Sequence, residues 1–146
     1  MLKYLFILFL FILGCESSTS SSENEQIIEP DNIFSHNISS KVAFYFFESV
    51  KINEYNLSSN DLIGAFNGQI CVGSRKWADC NGNTCDIPIY GENDLNELTS
   101  GYMLPNQIPS FKIFDASEEI LYDANSSSQI PWQDGIFPLI DSLNAG

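Results

Sequence analysis

The stretch DLIGAFNGQICVG, residues 61–73, decides the fold class of this chain. Two apolar runs in it flank the pair Asn67-Gly68. An Asn-Gly pair between apolar runs is the strongest short signal for a β-hairpin, because both turn positions need a positive φ. The sequence therefore predicts strands over residues 62–66 and 69–77, joined by a tight turn.

Further strands are predicted on both sides of this hairpin. Residues 42–49 (VAFYFFES) are rich in β-branched and aromatic residues, as strands are. Residues 110–115 alternate in polarity, and an apolar run at 120–123 follows after a short polar turn, which indicates a second hairpin. Residues 136–143 form a candidate closing strand.

Helical periodicity is weak throughout the chain. No window of about eleven residues has a convincing 3.6-residue repeat, and only residues 93–100 are compatible with one helical turn. Many short strands with frequent turn signals are typical of an all-β domain. We expect a small antiparallel β-sandwich, Ig-like or jelly-roll-like, over residues 41–146.

The charge balance excludes several classes of function. The 146 residues include 19 acidic and 6 basic side chains, for a formal net charge of -13. Nucleic-acid binding needs a dense basic surface, and attraction to anionic lipid needs clustered Lys or Arg, so neither is expected. A single histidine also limits acid–base chemistry near neutral pH and most zinc sites.

The N-terminus reads as an export signal. Lys3 precedes an unbroken apolar run over residues 4–13, which is shorter than the roughly 20 residues that a membrane-spanning helix needs. The run ends in Leu13-Gly14-Cys15, which resembles the lipobox of bacterial lipoproteins. The alternative is an ordinary signal peptide with a chance cysteine, but the small residues of an A-x-A-like cleavage site are absent.

The lipobox resemblance implies how the chain is held at the cell boundary. The signal, residues 1–14, would be removed, Cys15 would receive a diacylglycerol, and its new amine would be acylated, for example with palmitate. Two or more acyl chains anchor a protein stably to a bilayer. We therefore expect the lipid bilayer as a partner of acylated Cys15, and a location in the cell envelope, at the outer membrane or the cell surface.

A flexible tether is predicted between the anchor and the domain. Residues 16–30 (ESSTSSSENEQIIEP) are too polar to offset the entropy of ordering, and they are similar to tethers of surface lipoproteins of Bacteroidetes-type bacteria. We expect residues 15–40 to comprise the lipidated cysteine and this tether. His36 is then a solvated linker residue, since a mobile segment cannot hold a catalytic base near its partner.

Three cysteines remain besides Cys15, and an odd number in an exported protein predicts one disulfide and one free thiol. Cys71 lies in an apolar run, where a buried thiol acts as a small hydrophobe. Cys80 and Cys85 bracket a turn-prone loop, so we expect a bridge between them. A metal site of three thiols is the alternative, but no histidine or fourth cysteine lies nearby.

Residues 61–73, together with Trp77 and the later run 108–115 (IPSFKIFD), are similar to a β-sandwich module of secreted and cell-surface proteins. That module occurs in Bacteroidetes-like and marine Gram-negative bacteria, with a pattern close to D-x-I-G-x-F-x-G-x-x-C-V-G. The resemblance covers most of residues 40–144. It implies an extracellular scaffold or binding role and no class of enzyme.

Two candidate ligand sites can be named. Our main expectation is that the protein has no resident cofactor. If Ca²⁺ binds, the expected ligands are the carboxylates of Asp115, Asp123 and Asp134, which lie in turn-rich segments, although no EF-hand run is present. Three aromatic residues near predicted loops are candidates for a sugar-stacking platform, with packing in the core as the alternative: Trp77, Tyr102 and Trp132.

The sequence favours a non-catalytic envelope lipoprotein that contacts an unknown protein or glycan. No nucleophile elbow, P-loop or dinucleotide-binding fingerprint occurs, so we name no catalytic residues. Two alternatives stay open. One is a small envelope glycoside hydrolase that uses a pair of carboxylates, and the other is a purely structural subunit of a surface assembly.

Overall fold

The computed structural model describes residues 29–80, 82 and 84–146. The predicted signal, Cys15 and the first part of the predicted tether lie outside these residues. The all-β prediction is confirmed, because the described chain is built of strands with only short helical turns. The elements are α1 (Pro30–Ile33), β1 (Val42–Ile52), β2 (Tyr55–Asn56), β3 (Leu62–Asn67), β4 (Ile70–Lys76), a 3₁₀ turn (Trp77–Asp79), β5 (Cys85–Tyr90), a second 3₁₀ turn (Glu97–Thr99), β6 (Ser110–Asp115), β7 (Ile120–Ser126) and β8 (Leu139–Ala145).

The strands form one hydrogen-bonded mixed sheet of eight strands, ordered β2-β1-β8-β7-β6-β3-β4, with β5 also paired to β1. All neighbouring pairs are antiparallel except β1 and β8, which run parallel, with Phe46 opposite Leu139. The two separate antiparallel layers of a sandwich are therefore not confirmed. A single curled sheet encloses the core instead.

Both predicted hairpins are present. Asn67-Gly68 joins β3 to β4, and Gly68 has the positive φ of 61° that the turn requires. β6 and β7 form the second hairpin, with Phe111 opposite Ala124. β8 begins at Leu139, later than predicted, since Pro138 has no N–H to give to a ladder.

The core lies inside the curl of the sheet. Along the first half of β1, Ala43, Tyr45 and Phe47 are buried, while Phe44 and Phe46 alternate with them and face outward. Core members come from every long strand and from the loop before β8. They include Ile63, Val72, Ile87, Ile89, Met103, Phe111, Ile113, Trp132, Ile140 and Leu143.

The strands β4 and β5, both at ends of the sheet, lie against each other. A Cβ atom at Gly73 would overlap the carbonyl oxygen of Pro88, so only glycine permits this approach. Arg75 reaches across the contact, where its Nε donates to the Asp86 carbonyl at 2.8 Å and its guanidinium pairs with the Asp86 carboxylate at 2.6 Å. Side-chain contacts between β4 and β5 therefore close the curled sheet at a place where no backbone ladder joins these two strands.

The segment before β1 belongs to the folded body, which corrects the predicted extent of the tether. Phe34 is only 5% exposed and packs in a second cluster with Phe66, Cys71 and Phe114, meeting the Phe66 ring edge-on at 5.9 Å. The low-complexity pattern ends before Ile33-Phe34, and both of these apolar side chains pack in the cluster on the sheet.

The interpretation of His36 as a solvated linker residue is also wrong. Its ring stacks on Tyr90 with the centroids 5.7 Å apart, and its Nδ1 lies 2.9 Å from the Phe34 carbonyl oxygen. The backbone N–H of the next residue, Asn37, donates to the Tyr102 hydroxyl at 2.6 Å. The docked segment therefore fixes His36, although no acidic partner is among its hydrogen bonds.

Candidate functional site

The outer face of β1 and the chain leading into β8 carry an apolar surface, which we call the aromatic platform; it consists of half-buried Phe44 and Phe46 and exposed Phe137 and Leu139. Phe137 and Leu139 are 67% and 65% exposed. The rings of Phe44 and Phe137 are parallel to within 2°, with centroids 5.9 Å apart. Phe46 stands opposite Leu139 in the β1–β8 register, so the four side chains form one continuous surface.

Backbone hydrogen bonds hold the platform rigidly. The N–H of Phe44 donates to the Ile136 carbonyl at 3.1 Å, and the N–H of Phe46 donates to the Pro138 carbonyl at 2.9 Å. The segment that bears Phe137 is therefore bound to β1 even before β8 begins. Side chains on rigid strands present a preformed surface at low entropic cost.

Acidic side chains surround the platform. Glu48 follows Phe46 by two residues and Asp141 follows Leu139 by two residues, so both exposed carboxylates continue the same outer face. Asp86 of β5 stands opposite Phe46 on the other side, but its carboxylate is already paired with Arg75, so the unpaired acidic groups here are Glu48 and Asp141. Like charges on neighbouring strands destabilise a sheet, and a cationic partner would relieve that repulsion.

The predicted sugar platform is not assembled from the residues that we named. Trp132 is 1% exposed and its Nε1 donates to the Ile89 carbonyl at 2.9 Å, while Tyr102 is also buried. Trp77 is half-buried against the core. Proximity to predicted loops was a poor guide, because large aromatic rings in loops readily turn inward when their polar atoms find partners.

A sequence signal for the true aromatic surface did exist. Alternation in the run 42–49 separates an inward set of side chains from an outward set, and Phe44 and Phe46 belong to the outward set. Phe137 follows the Asp134-Gly135 turn between two half-buried residues. Without the β1–β8 pairing, nothing in the sequence joins these two stretches.

The three candidate Ca²⁺ ligands do not converge. Asp123 forms an ion pair with Lys112, its register partner across the β6–β7 hairpin. Asp115 lies three residues beyond Lys112 and so on the opposite face of the same ribbon. Asp134 instead accepts a hydrogen bond from the backbone N–H of Val42 at 2.9 Å.

Each of these carboxylates has a structural role in the protein. Asp115 accepts hydrogen bonds from the hydroxyl and the backbone N–H of Ser117 and from the N–H of Glu118, and these bonds, the hydroxyl first, lower the pKa of its carboxyl group. Over the described part of the chain, no group of three or more His, Cys, Asp or Glu side chains is arranged to hold a metal ion.

A cleft lies between the start of β6 and the end of β7, and we call it the β6–β7 cleft. Its volume is about 370 Å³. Tyr45 and Phe111 contribute to its floor, and the hydroxyl of Tyr45 donates to the Ile130 carbonyl at 3.0 Å. Burial raises the pKa of Tyr45 to about 12, so this hydroxyl stays neutral.

Three carboxylates line a separate shallow depression of about 470 Å³, those of Glu92, Asp94 and Glu97. One Glu92 oxygen already accepts the N–H of Gly101 at 2.9 Å. No histidine, lysine or arginine lines this depression.

The cysteine predictions agree with the structure. Cys80 and Cys85 form a disulfide, with an S–S distance of 2.01 Å. Cys71 is a buried free thiol, and its burial raises its pKa to about 11. The disulfide ties the start of β5 to the turn after β4.

No family model, no curated protein and no solved structure matches this chain. Among the residues that the structure describes, no helix combines the length and the apolar character needed to cross a membrane.

Proposed function

We propose that this chain is a lipid-anchored, non-catalytic contact protein of the cell envelope, located at the outer membrane or the cell surface, and that its aromatic platform binds a partner protein. The apolar run 4–13 followed by Leu13-Gly14-Cys15 supports the anchor. The observation that carries the contact role is the rigid, exposed platform with its parallel Phe44 and Phe137 rings.

The chemistry of the platform defines the partner. Aromatic side chains at the centre and polar residues at the rim are the usual anatomy of a protein–protein contact. Here the rim carries Glu48 and Asp141, and the whole chain is strongly acidic. The fitting partner presents an apolar centre surrounded by Lys or Arg, because complementary charge steers association and fixes orientation.

A glycan is the second candidate ligand of the same surface. The exposed ring of Phe137 supports it, since the apolar face of a sugar ring packs on aromatic faces. A glycan would bind with little dependence on salt. A basic protein would bind less tightly as salt screens the acidic rim.

The platform can be tested with paired surface variants of the full chain in a non-sugar detergent. The double variant Phe137→Ser/Leu139→Ser removes two exposed apolar side chains, and Tyr55→Ser/Leu95→Ser is a matched control, since those side chains are at least as exposed elsewhere. Envelope proteins that crosslink to the native chain should be lost with the first variant and kept with the control, and raising the salt concentration before crosslinking should lower their yield. Equal capture by both variants would refute the platform, whereas selective loss of a polysaccharide would favour the glycan.

The anchor is tested separately. Cys15→Ser should move the chain from the membrane fraction to the soluble fraction, while the neighbouring control Ser18→Ala stays with the membrane. Mass spectrometry should detect acyl groups on the N-terminal cysteine of the native product. An unmodified N-terminus, or a membrane-bound Cys15→Ser chain, would contradict the anchor without affecting the platform.

A further inference from the structure

The β6–β7 cleft is a second concave surface, and it lies on the other side of β1 from the aromatic platform. Tyr45 lines the cleft from the inner face of β1, whereas Phe44 and Phe46 alternate with it on the outer face. A ligand in the cleft therefore cannot contact the platform directly. Any ligand of the cleft is therefore separate from the partner of the platform.

The loop that forms one wall of the cleft is held by hydrogen bonds. The Ser126 hydroxyl donates to the Ser128 carbonyl at 2.6 Å, and the Tyr45 hydroxyl fixes the Ile130 carbonyl. The N–H of Ser127 donates to the Ser142 carbonyl at 2.9 Å, and the Ser127 hydroxyl accepts the N–H of Ser142 at 3.1 Å. Such a wall is preorganised, so a ligand would not have to order it.

The lining of the cleft is entirely uncharged, although acidic residues dominate the chain. Ile108 and Phe111 provide an apolar wall. Asn125 and Gln129 also line the cleft, and both residues are exposed. The lining residues are Tyr45, Ile108, Pro109, Ser110, Phe111, Ala124, Asn125, Ser126, Ser128, Gln129 and Ile130.

We infer that the β6–β7 cleft binds a neutral saccharide unit. A sugar ring has an apolar face, which suits Ile108 and Phe111, and an edge of hydroxyl groups, which need both donors and acceptors. Amide side chains such as Asn125 and Gln129 supply both in one group. A phosphate or carboxylate ligand is disfavoured because no cationic side chain lines the cleft. The volume of about 370 Å³ is within the range of small-ligand sites.

This inference goes beyond the proposed protein contact, and it is tested on the full chain in a polyoxyethylene detergent, which avoids detergents with sugar headgroups. The probes are maltose, cellobiose and N,N′-diacetylchitobiose, each titrated by calorimetry and by saturation-transfer NMR. The rim variant is Asn125→Ala/Gln129→Ala. The control is Asn60→Ala/Gln133→Ala, which removes exposed amides elsewhere.

We expect at least one probe to bind with millimolar affinity, and we expect the rim variant to weaken that binding about tenfold or more, as the loss of two hydrogen bonds predicts. The control should stay within about twofold. The platform variant Phe137→Ser/Leu139→Ser should also bind normally, so failure of the cleft and failure of the platform are distinguishable. Absence of binding by all three probes, or equal binding by the native chain and the rim variant, would overturn the inference.

Discussion

Replacing Phe34 by alanine tests the docked segment that precedes β1. The side chain is almost fully buried, and burial of a phenylalanine contributes about 1.5–3 kcal/mol. Its edge-on contact with Phe66 adds about 0.5–1.5 kcal/mol. We therefore expect Phe34→Ala to lower the free energy of unfolding by about 2–4 kcal/mol. Phe34 lies in the smaller of the two hydrophobic clusters, so we expect a loss below that of a residue in the main core.

Urea unfolding of the full chain measures this loss, followed by the fluorescence of the buried Trp132. With a slope of about 1–3 kcal/mol per molar urea, the midpoint should fall by about 0.7–4 M. The control Ser35→Ala changes an exposed neighbour and should stay within about 0.5 kcal/mol. A loss below about 1 kcal/mol for Phe34→Ala would show that the segment before β1 is not packed on the sheet, and it would support the original prediction of a flexible tether up to Lys41.

Three further predictions concern the disulfide, a turn and the free thiol. Cys80→Ala/Cys85→Ala should destabilise the fold by about 2 kcal/mol, as a short closed loop predicts, and an unchanged urea midpoint would contradict this. The folded pKa of Asp115 is lowered chiefly by Ser117, so its stabilisation is present above the unfolded pKa of about 3.9 and is lost as the pH falls through the lower folded pKa. The difference in stability between the native chain and Asp115→Ala should accordingly shrink on acidification from pH 7, and a growing difference would count against the turn contacts. Iodoacetamide at pH 8 should label Cys71, whose pKa is about 11, only after unfolding; fast labelling of the native chain would disprove its burial.

Local rules explain the parts of the structure that could be predicted from the sequence. The Asn67-Gly68 turn and the short Cys80–Cys85 loop each depend on residues close together in the chain, and both are present as expected. The pairing of Phe46 with Leu139 joins distant stretches in parallel, and no local pattern encodes it. The curl of the sheet follows from that pairing and could not be predicted.

The aromatic residues illustrate the same limit at the candidate site. Trp132 and Phe137 lie five positions apart near a proline-rich loop, yet one is buried and the other is exposed. The difference arises from the sheet, which offers the Ile89 carbonyl to the indole N–H on its inner side. Composition ranks both residues as apolar, and only the tertiary pairing decides which of them faces a partner.

The contact of β4 with β5 has a consequence for crowding on a surface. Proteins that share a membrane meet their own copies far more often than they would in dilute solution, and unprotected strand edges then promote polymerisation. In this chain Gly73 permits two such edges to shield each other, and the Arg75–Asp86 pair fastens them. On the membrane anchor that we propose, many copies would therefore lie side by side without their sheets pairing.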